Sequence, residues 1–413
     1  MSALVQASYY RPRIFPIKND VTDAEIDRAQ SIDPSATLNA EIIEEIGTVG
    51  SVGSVKGSSE VSYGLTQYEY GNIEFWQKLV NTATLGAVGQ TAITQDDFKT
   101  PYSNICAYMT DDDGTFLGTV LYPELRTSGF SLSISDPQAI VERSFDLVGE
   151  SAIILQNTNK YYIYERYACG SGGDNEVDLS TRAPIVDPDN AGVYMFKVYR
   201  VRGAATTELT LTTDYTYSNI TKILTIVSVQ AGDVIKAYYS SATAPATMFT
   251  TNTVDVAAIR GDSVDIYLYV PASGKPSSAD YAYRLQSVSL DVSFDRLDLR
   301  EIGNDEVVAR GVTNTTVTAT LGRLLETFTI EEVLRGQTAG YGKIDISQFS
   351  DEIALIIKIY SDNTKTSFKY GFMATGMTTT DIGGGVNVAE YVNREGTIEG
   401  KSFSITADST LLV

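Results

Sequence analysis

The chain has 413 residues, with 31 Lys and Arg against 52 Asp and Glu for a net charge of -21, no histidine and 2 cysteines. The missing histidine removes Ser-His-Asp and Cys-His catalysis and the commonest transition-metal ligand. Two cysteines make no disulfide framework, no apolar run reaches the about 18 residues of a membrane span, and so acidic a chain without a basic stretch repels nucleic acid and anionic membrane surfaces.

The first residues, MSALVQASYYRPRIF, lack the long apolar segment of a secretory signal, which predicts folding in the cytosol. The 26 Tyr and 33 Gly, with abundant Thr and Val, favour antiparallel β-structure. Next comes Arg28-Ala29-Gln30-Ser31-Ile32, running on to Glu45-Ile46-Gly47, and the same block returns at identical spacing as Arg284-Leu285-Gln286-Ser287-Val288 and Glu301-Ile302-Gly303. An internal duplication governs any reading of the fold. In the first copy, Leu38 to Lys56 reads as a long polar loop and Val55 to Gly64 as a small, alternating strand. Residues 72–80 (NIEFWQKLV) form a short helix, and Ile105 to Thr110 a buried strand ending in an Asp turn. Asp111-Asp112-Asp113-Gly114 resembles a fragment of a calcium loop, but it lacks the later Glu and reads as a hairpin turn. Ser128 to Gly149 closes this copy.

From about Cys169 the character changes. GSGGDNEVDLSTRAPIVDPDN is a Gly- and Pro-containing linker, followed by short alternating segments at Tyr194 to Arg202, Thr206 to Thr212, Lys222 to Ser228 and Asp233 to Tyr239, the pattern of a small Ig-like β-sandwich. Tyr215 and the Tyr238-Tyr239 pair either mark a binding face or fill the sandwich core, the commoner use of such residues. The second copy then repeats the order of elements. It has a loop at Phe294 to Val312, a strand at 312–322 (VTNTTVTATLG), a short helix at 328–334 (FTIEEVL), a strand at Ile356 to Asn363, and a final stretch in which Thr375-Gly376-Met377 answers Ser128-Gly129-Phe130. Gly383-Gly384-Gly385 reads as a flexible loop tip, since no phosphate-binding Lys follows it. The expected boundaries are 1–167 for the first copy with its arm, 168–280 for the inserted sandwich with its linkers, and 281–413 for the second copy.

In LQSVSLDVSFDRLDLREIGNDEVVARGVTNTTVTATL with its IEEVLRG helix, and in SGFSLSISDPQAIVERSFDLVGE, the order of strand, polar loop, strand, short helix and hairpins resembles the tail tube (major tail) proteins of long-tailed bacteriophages. The resemblance covers both copies. It implies a mainly β fold, in which each copy is a tube domain of nearly orthogonal sheets flanked by a helix. It also implies rings of six domains stacked into the conduit for DNA, in a virion tail put together in the bacterial cytoplasm. Two domains per chain then make a trimeric, pseudo-hexameric ring, whose open sheet edges pair with identical neighbours. The implied partners are the chain itself, the tape measure protein and other tail proteins. Double-stranded DNA passes without specific binding, no membrane is bound, and no catalytic residue, metal or cofactor is expected. The two polar loops correspond to stacking loops, and the arm Tyr9 to Ala36 and the tail Ser402 to Val413 are candidates for subunit contacts. Inner strands should carry Ser, Thr, Asp and Glu, with Glu60 to Tyr70 and Thr315 to Glu326 as the candidates, while the inserted sandwich projects outward. Other readings are a related ring-forming tail part, such as a terminator or baseplate hub, and a secreted β-rich protein that cleaves or binds carbohydrate, because paired carboxylates need no histidine.

Overall fold

The computed structural model describes residues 9–44, 51–111, 113, 116–156, 161–170, 175–187, 192–244, 257–271, 285–300, 307–324, 352–385 and 393–412. The fold is mainly β with several antiparallel sheets, as the composition predicts. The first copy holds β1 (Tyr9–Pro16), β2 (Ala24–Glu25), β3 (Ala29–Glu44), β4 (Ser51–Tyr68), α1 (Glu74–Leu79), β5 (Ile93–Thr94), β6 (Ser103–Thr110), β7 (Phe116–Ile134), β8 (Glu142–Gly149) and β9 (Ile153–Gln156). The inserted part holds β10 (Tyr161–Ala168), β11 (Glu176–Asp178), β12 (Met195–Arg202), β13 (Ala205–Glu208), β14 (Tyr215–Ser218), β15 (Ile223–Ile226) and β16 (Val234–Ser241). The second copy holds β17 (Val264–Tyr269), β18 (Leu285–Arg300), β19 (Val307–Leu324), β20 (Ile353–Tyr360), β21 (Phe368–Gly385), β22 (Asn393–Gly400) and β23 (Ser402–Thr406).

The duplication extends to the irregularities. A bulge separates Ser103 from Ile105 where β6 meets β7, and another separates Ile353 from Leu355 where β20 meets β21. At that place Glu124 takes φ 52 and Gly376 takes φ 63. Further bulges match between Met109/Thr110 and Ile359/Tyr360, and between Thr127/Gly129 and Thr379/Asp381. By this register Gly129 corresponds to Asp381 and Phe130 to Ile382, so the sequence alignment of Gly129-Phe130 with Gly376-Met377 was out of step. The two alignments differ by five residues across a bulge, and a period-2 pattern interrupted by bulges does not fix a shift of that size.

Long strands shared between sheets build each copy. The first part of β7 lies between β6 and β9, while its second part pairs with β8. In the same way β21 pairs first with β20 and β23, then with β22. Bulges let one strand bend from one sheet into the next. Trp76 and Phe75 of α1 are buried in the core, with Trp76 edge-on to Phe130, Phe145 and Phe372 at ring centroid separations of 4.8, 4.9 and 5.5 Å. The counterpart helix expected at 328–334 lies outside the described residues.

Several sequence expectations change here. The two long polar loops are mostly strand: β3 pairs with β4 out to Glu44 and Ser51, and β18 with β19 out to Arg300 and Val307, so each copy extends a two-stranded arm. The arm and tail expected at subunit contacts also pair within the chain, Tyr9–Pro16 with β6 and Ser402–Thr406 with β21 and β5. Gly383-Gly384-Gly385 is not a loop tip, because all three pair with Glu395, Arg394 and Asn393 of β22. The inserted part has a four-stranded sheet, β10-β16-β12-β13, and a three-stranded one, β11-β15-β14. Tyr161–Ala168 joins this sandwich, while Val264–Tyr269, which lies before the expected boundary at 280, pairs with β20. Phe15, Cys106, Tyr108 and Leu121 of the first copy share one apolar cluster with Tyr162, Val198, Tyr199 and Tyr238 of the sandwich.

Candidate assembly surface

The two copies meet in one sheet. Its strand order is β3-β4-β8-β7-β18-β19-β22-β21, and the seam between copies is β7 with β18, running from Val288 opposite Ile134 to Ser293 opposite Gly129. A Cβ on Gly129 would come within 2.9 Å of the Val292 carbonyl, so glycine is what lets the strands approach there.

Residues opposite one another across a sheet share a face. One row reads Ile32, Leu65, Phe145, Phe130, Val292 and Val317, and it faces the core. The neighbouring row reads Ser31, Thr66, Ser144, Ser131, Asp291, Thr318, Glu399 and Thr378, one residue from each strand. On the same face another row reads Glu142, Ser133, Ser289, Thr320, Thr397 and Asp381. Neither polar row contains a Lys or an Arg. The candidate strands Glu60 to Tyr70 and Thr315 to Glu326 do contribute to this face, although the strip is wider than those two and is drawn from eight strands. Burial pushes up the pKa of Asp146, which lies on this face beside Gly64 and Gly129.

Beneath the seam, the copies are tied by a polar group sealed in the core. The Tyr370 hydroxyl donates to Glu69 Oε2 at 2.5 Å, Arg143 donates to the same oxygen at 3.2 Å, and Trp76 Nε1 donates to the Tyr370 oxygen at 3.2 Å. Glu69 Oε1 accepts the backbone N–H groups of Tyr70 and Gly71. Burial works against the charge on Arg143, yet Glu69, Tyr370 and Tyr70 together outweigh it and hold its pKa above the ordinary value. Arg296 of β18 reaches back to the carbonyls of Thr127 at 2.6 Å and Phe98 at 2.9 Å, and burial pulls its pKa down to about 10. Phe98 stacks on Phe294 at 5.4 Å.

Among the described strands, both outer strands of this sheet have a neighbour on one side only along part of their length. Among the described strands, β3 pairs with β4 alone, and residues 379–385 of β21 pair with β22 alone. Asp33, Pro34, Ser35, Ala36 and Thr37 are exposed, whereas the equivalent Leu290 and Val292 of β18 are buried against β7.

Other features singled out in the sequence have structural roles. Tyr215, Tyr238 and Tyr239 are buried, so they fill the sandwich core and form no binding face. Of the Asp111–Gly114 turn, Asp112 and Gly114 lie outside the described residues. Among the described residues no group of three or more acidic or cysteine side chains is placed to hold a metal, and no helix is long and apolar enough to cross a membrane. A cavity of about 660 Å³ between the first copy, the sandwich and the arm of the second copy is lined by Lys18, Arg126, Lys197 and Arg310 together with Glu124 and Glu150. Arg310 is ion-paired with Glu150, and with Asp298 at 3.6 Å, so the mixed charges largely answer one another. The seam could not be found from sequence, because strand alternation identifies a buried face but not which strand lies alongside.

No family model matches this chain, and no curated protein matches it. Among solved structures, it is similar to a chain of "Cryo-EM structure of the anti-feeding prophage (AFP) baseplate, 6-fold symmetrised", at 10% identity and TM-score 0.28, covering 38% of this chain and 98% of that one.

Proposed function

We propose that the chain is a structural protein of a phage-type tail, with no catalytic role. In this reading three copies close a pseudo-hexameric ring, and the rings stack into a hollow tube that conducts double-stranded DNA. The observation that carries the reading is the continuous sheet in which two copies of one fold lie side by side, apolar on one face and crossed on the other by two polar rows that hold no Lys or Arg. A wall of hydroxyls and carboxylates gives phosphates no cation to hold, as a conduit for sliding DNA requires. The partners in this reading are further copies of the chain, the tape measure protein and other tail proteins, within a virion assembled in the bacterial cytoplasm. The inserted sandwich stands outside the ring, because the conduit has no room for it.

The paired arms, β3 with β4 and β18 with β19, are placed to reach a neighbouring ring. Leu297 and Leu299 on the second arm are 45% and 53% exposed, apolar area that stacking would remove from water. Negative-stain electron microscopy of the purified protein tests the proposal. Hollow tubes with a regular axial repeat support it and monodisperse monomers overturn it. Isolated rings that never stack favour a second reading, a ring-forming terminator or baseplate part, which the same sheet would also serve.

A further inference from the structure

We infer that each copy of the chain joins the next by laying β21 of one along β3 of the other, in the register that β7 and β18 hold inside the chain. The inference deepens the reading of a closed ring and rests on it for the requirement that copies assemble side by side.

The internal seam serves as a template. β3 and β18 are equivalent strands, since Ala29 opposite Gln67 matches Leu285 opposite Arg323, and the arm-end bulges at Ile43/Glu44 and Leu299/Arg300 also coincide. β7 and β21 are equivalent by their bulges and by the positive φ at Glu124 and Gly376. The chain therefore contains one finished seam and, at its two ends, the two halves of a second. Transferring Val292 opposite Phe130 and Ser293 opposite Gly129 sets Ala36 opposite Ile382 and Thr37 opposite Asp381. Ile382 is only half-buried, Ala36 is exposed, and their counterparts at the internal seam, Phe130 and Val292, are 2% and 3% exposed. The contact is heterologous, so its repetition either closes or runs on. Pro34, with no N–H, leaves β3 one donor poorer than β18, and Gly383-Gly384-Gly385 on the other edge leaves room for a close backbone approach.

A second, separate mark of the missing neighbour lies on β9. β9 and β23 are equivalent, each pairing with the first part of β7 or β21. Ile405 of β23 is fully buried, with Ile93 of β5 opposite, and β5 comes from the other copy. Ile154, in the matching position of β9, is 61% exposed. Within the chain the first copy covers the second at this place, and the first copy is left waiting for a cover of its own. A second copy of the chain supplies both missing parts from one side.

Cysteine pairs test the register. Thr37→Cys with Asp381→Cys, and Ala36→Cys with Ile382→Cys, sample both hydrogen-bonding classes of an antiparallel ladder. The paired positions sit at opposite ends of eight strands, roughly 30 Å apart, so no bond can form within one chain. Mild oxidation of the assembled protein should give covalent dimers and trimers on a denaturing gel for at least one pair. Thr37→Cys with Thr378→Cys, two ladder positions or about 7 Å out of register, should give at least tenfold less. Separately, Ile154→Glu should leave the monomer's unfolding curve unchanged while weakening trimer association at least tenfold by mass measurement. Rings or tubes on micrographs without in-register cross-links overturn the seam and leave the proposed function standing. Cross-linked trimers that never stack leave the seam standing and remove the tube. A protein monomeric at all concentrations removes both.

Discussion

Tyr370 and Glu69 belong to different copies of the repeat, yet the hydroxyl of one donates to the carboxylate of the other at 2.5 Å inside the core. The same carboxylate accepts from Arg143, and both charged side chains are 0% exposed. A buried pair with its hydrogen bonds satisfied is tolerable, and one stripped of a partner is not. Tyr370→Phe removes one donor and should cost about 1–2 kcal/mol. Glu69→Gln leaves Arg143 charged and unanswered and should cost about 3–5 kcal/mol. Urea unfolding of the two variants and of the double variant measures this. Additive losses would show that the residues do not act as a unit.

Lys236 gives a pH test. Its ammonium is buried in the sandwich and donates to the carbonyls of Pro16 at 2.9 Å and of Ile17 and Val21 at 3.3 Å, tying the sandwich to the first copy. Burial pulls its pKa down to about 8, with Asp20 opposing the fall and Arg166 and Lys78 adding to it. The folded-state pKa is below the unfolded value, so below pH 8 both states hold the proton and the full cost of burying the charge is present. Between about pH 8 and 10 the folded state releases the proton first, and stability rises. The gain approaches about 3 kcal/mol where the unfolded lysine also titrates. Measured as the difference from Lys236→Met, which cancels the tyrosine titrations, stability should climb over this interval; a flat difference would contradict the assignment.

The duplication, the mainly β class and the sandwich pattern were legible because they rest on local spacing: Gln30 and Gln286 stand in equivalent strands, and residues 74–79 form the expected helix. What stayed hidden depends on pairing between distant segments. Nothing in Gly383-Gly384-Gly385 distinguishes a loop tip from a strand that leaves room for a neighbour. The polar segments after Leu38 and Phe294 looked like loops because burial imposes no alternation on a projecting hairpin: in the second arm Leu297, Asp298 and Leu299 are exposed in succession. The extent of the two cation-free rows was not legible, since only the register sets Ser131 beside Asp291 and Asp291 beside Thr318.

Gly376 and Glu124 occupy equivalent bulges of the two copies with φ 63 and 52, and a Cβ at Gly376 would meet nothing within 4 Å. Any cost of substitution there is therefore backbone strain and not a clash. Gly376→Ala should destabilise by about 1 kcal/mol. Gly376→Asn, whose side chain tolerates the left-handed region, should cost less. Thermal unfolding would rank the two, and equal losses would mean that the conformation is not what glycine supplies.

The polar face makes the sharpest demand on the proposed conduit. Ser131 and Thr318 flank Asp291 in one row and are half-buried, so lysines placed there would project onto the face without entering the core. A ring of three chains bearing Ser131→Lys and Thr318→Lys gains six cations on one wall. Assembled wild-type protein should release duplex DNA even at low salt. The double variant should retain it, with an affinity that falls steeply as salt rises, because each phosphate contact releases condensed counterions. A filter-retention titration at several salt concentrations reads both arms, with micrographs checking that assembly is unchanged. Intact tubes of the variant that still hold no DNA would mean that this face does not line the conduit, and the sheet would have to be turned over.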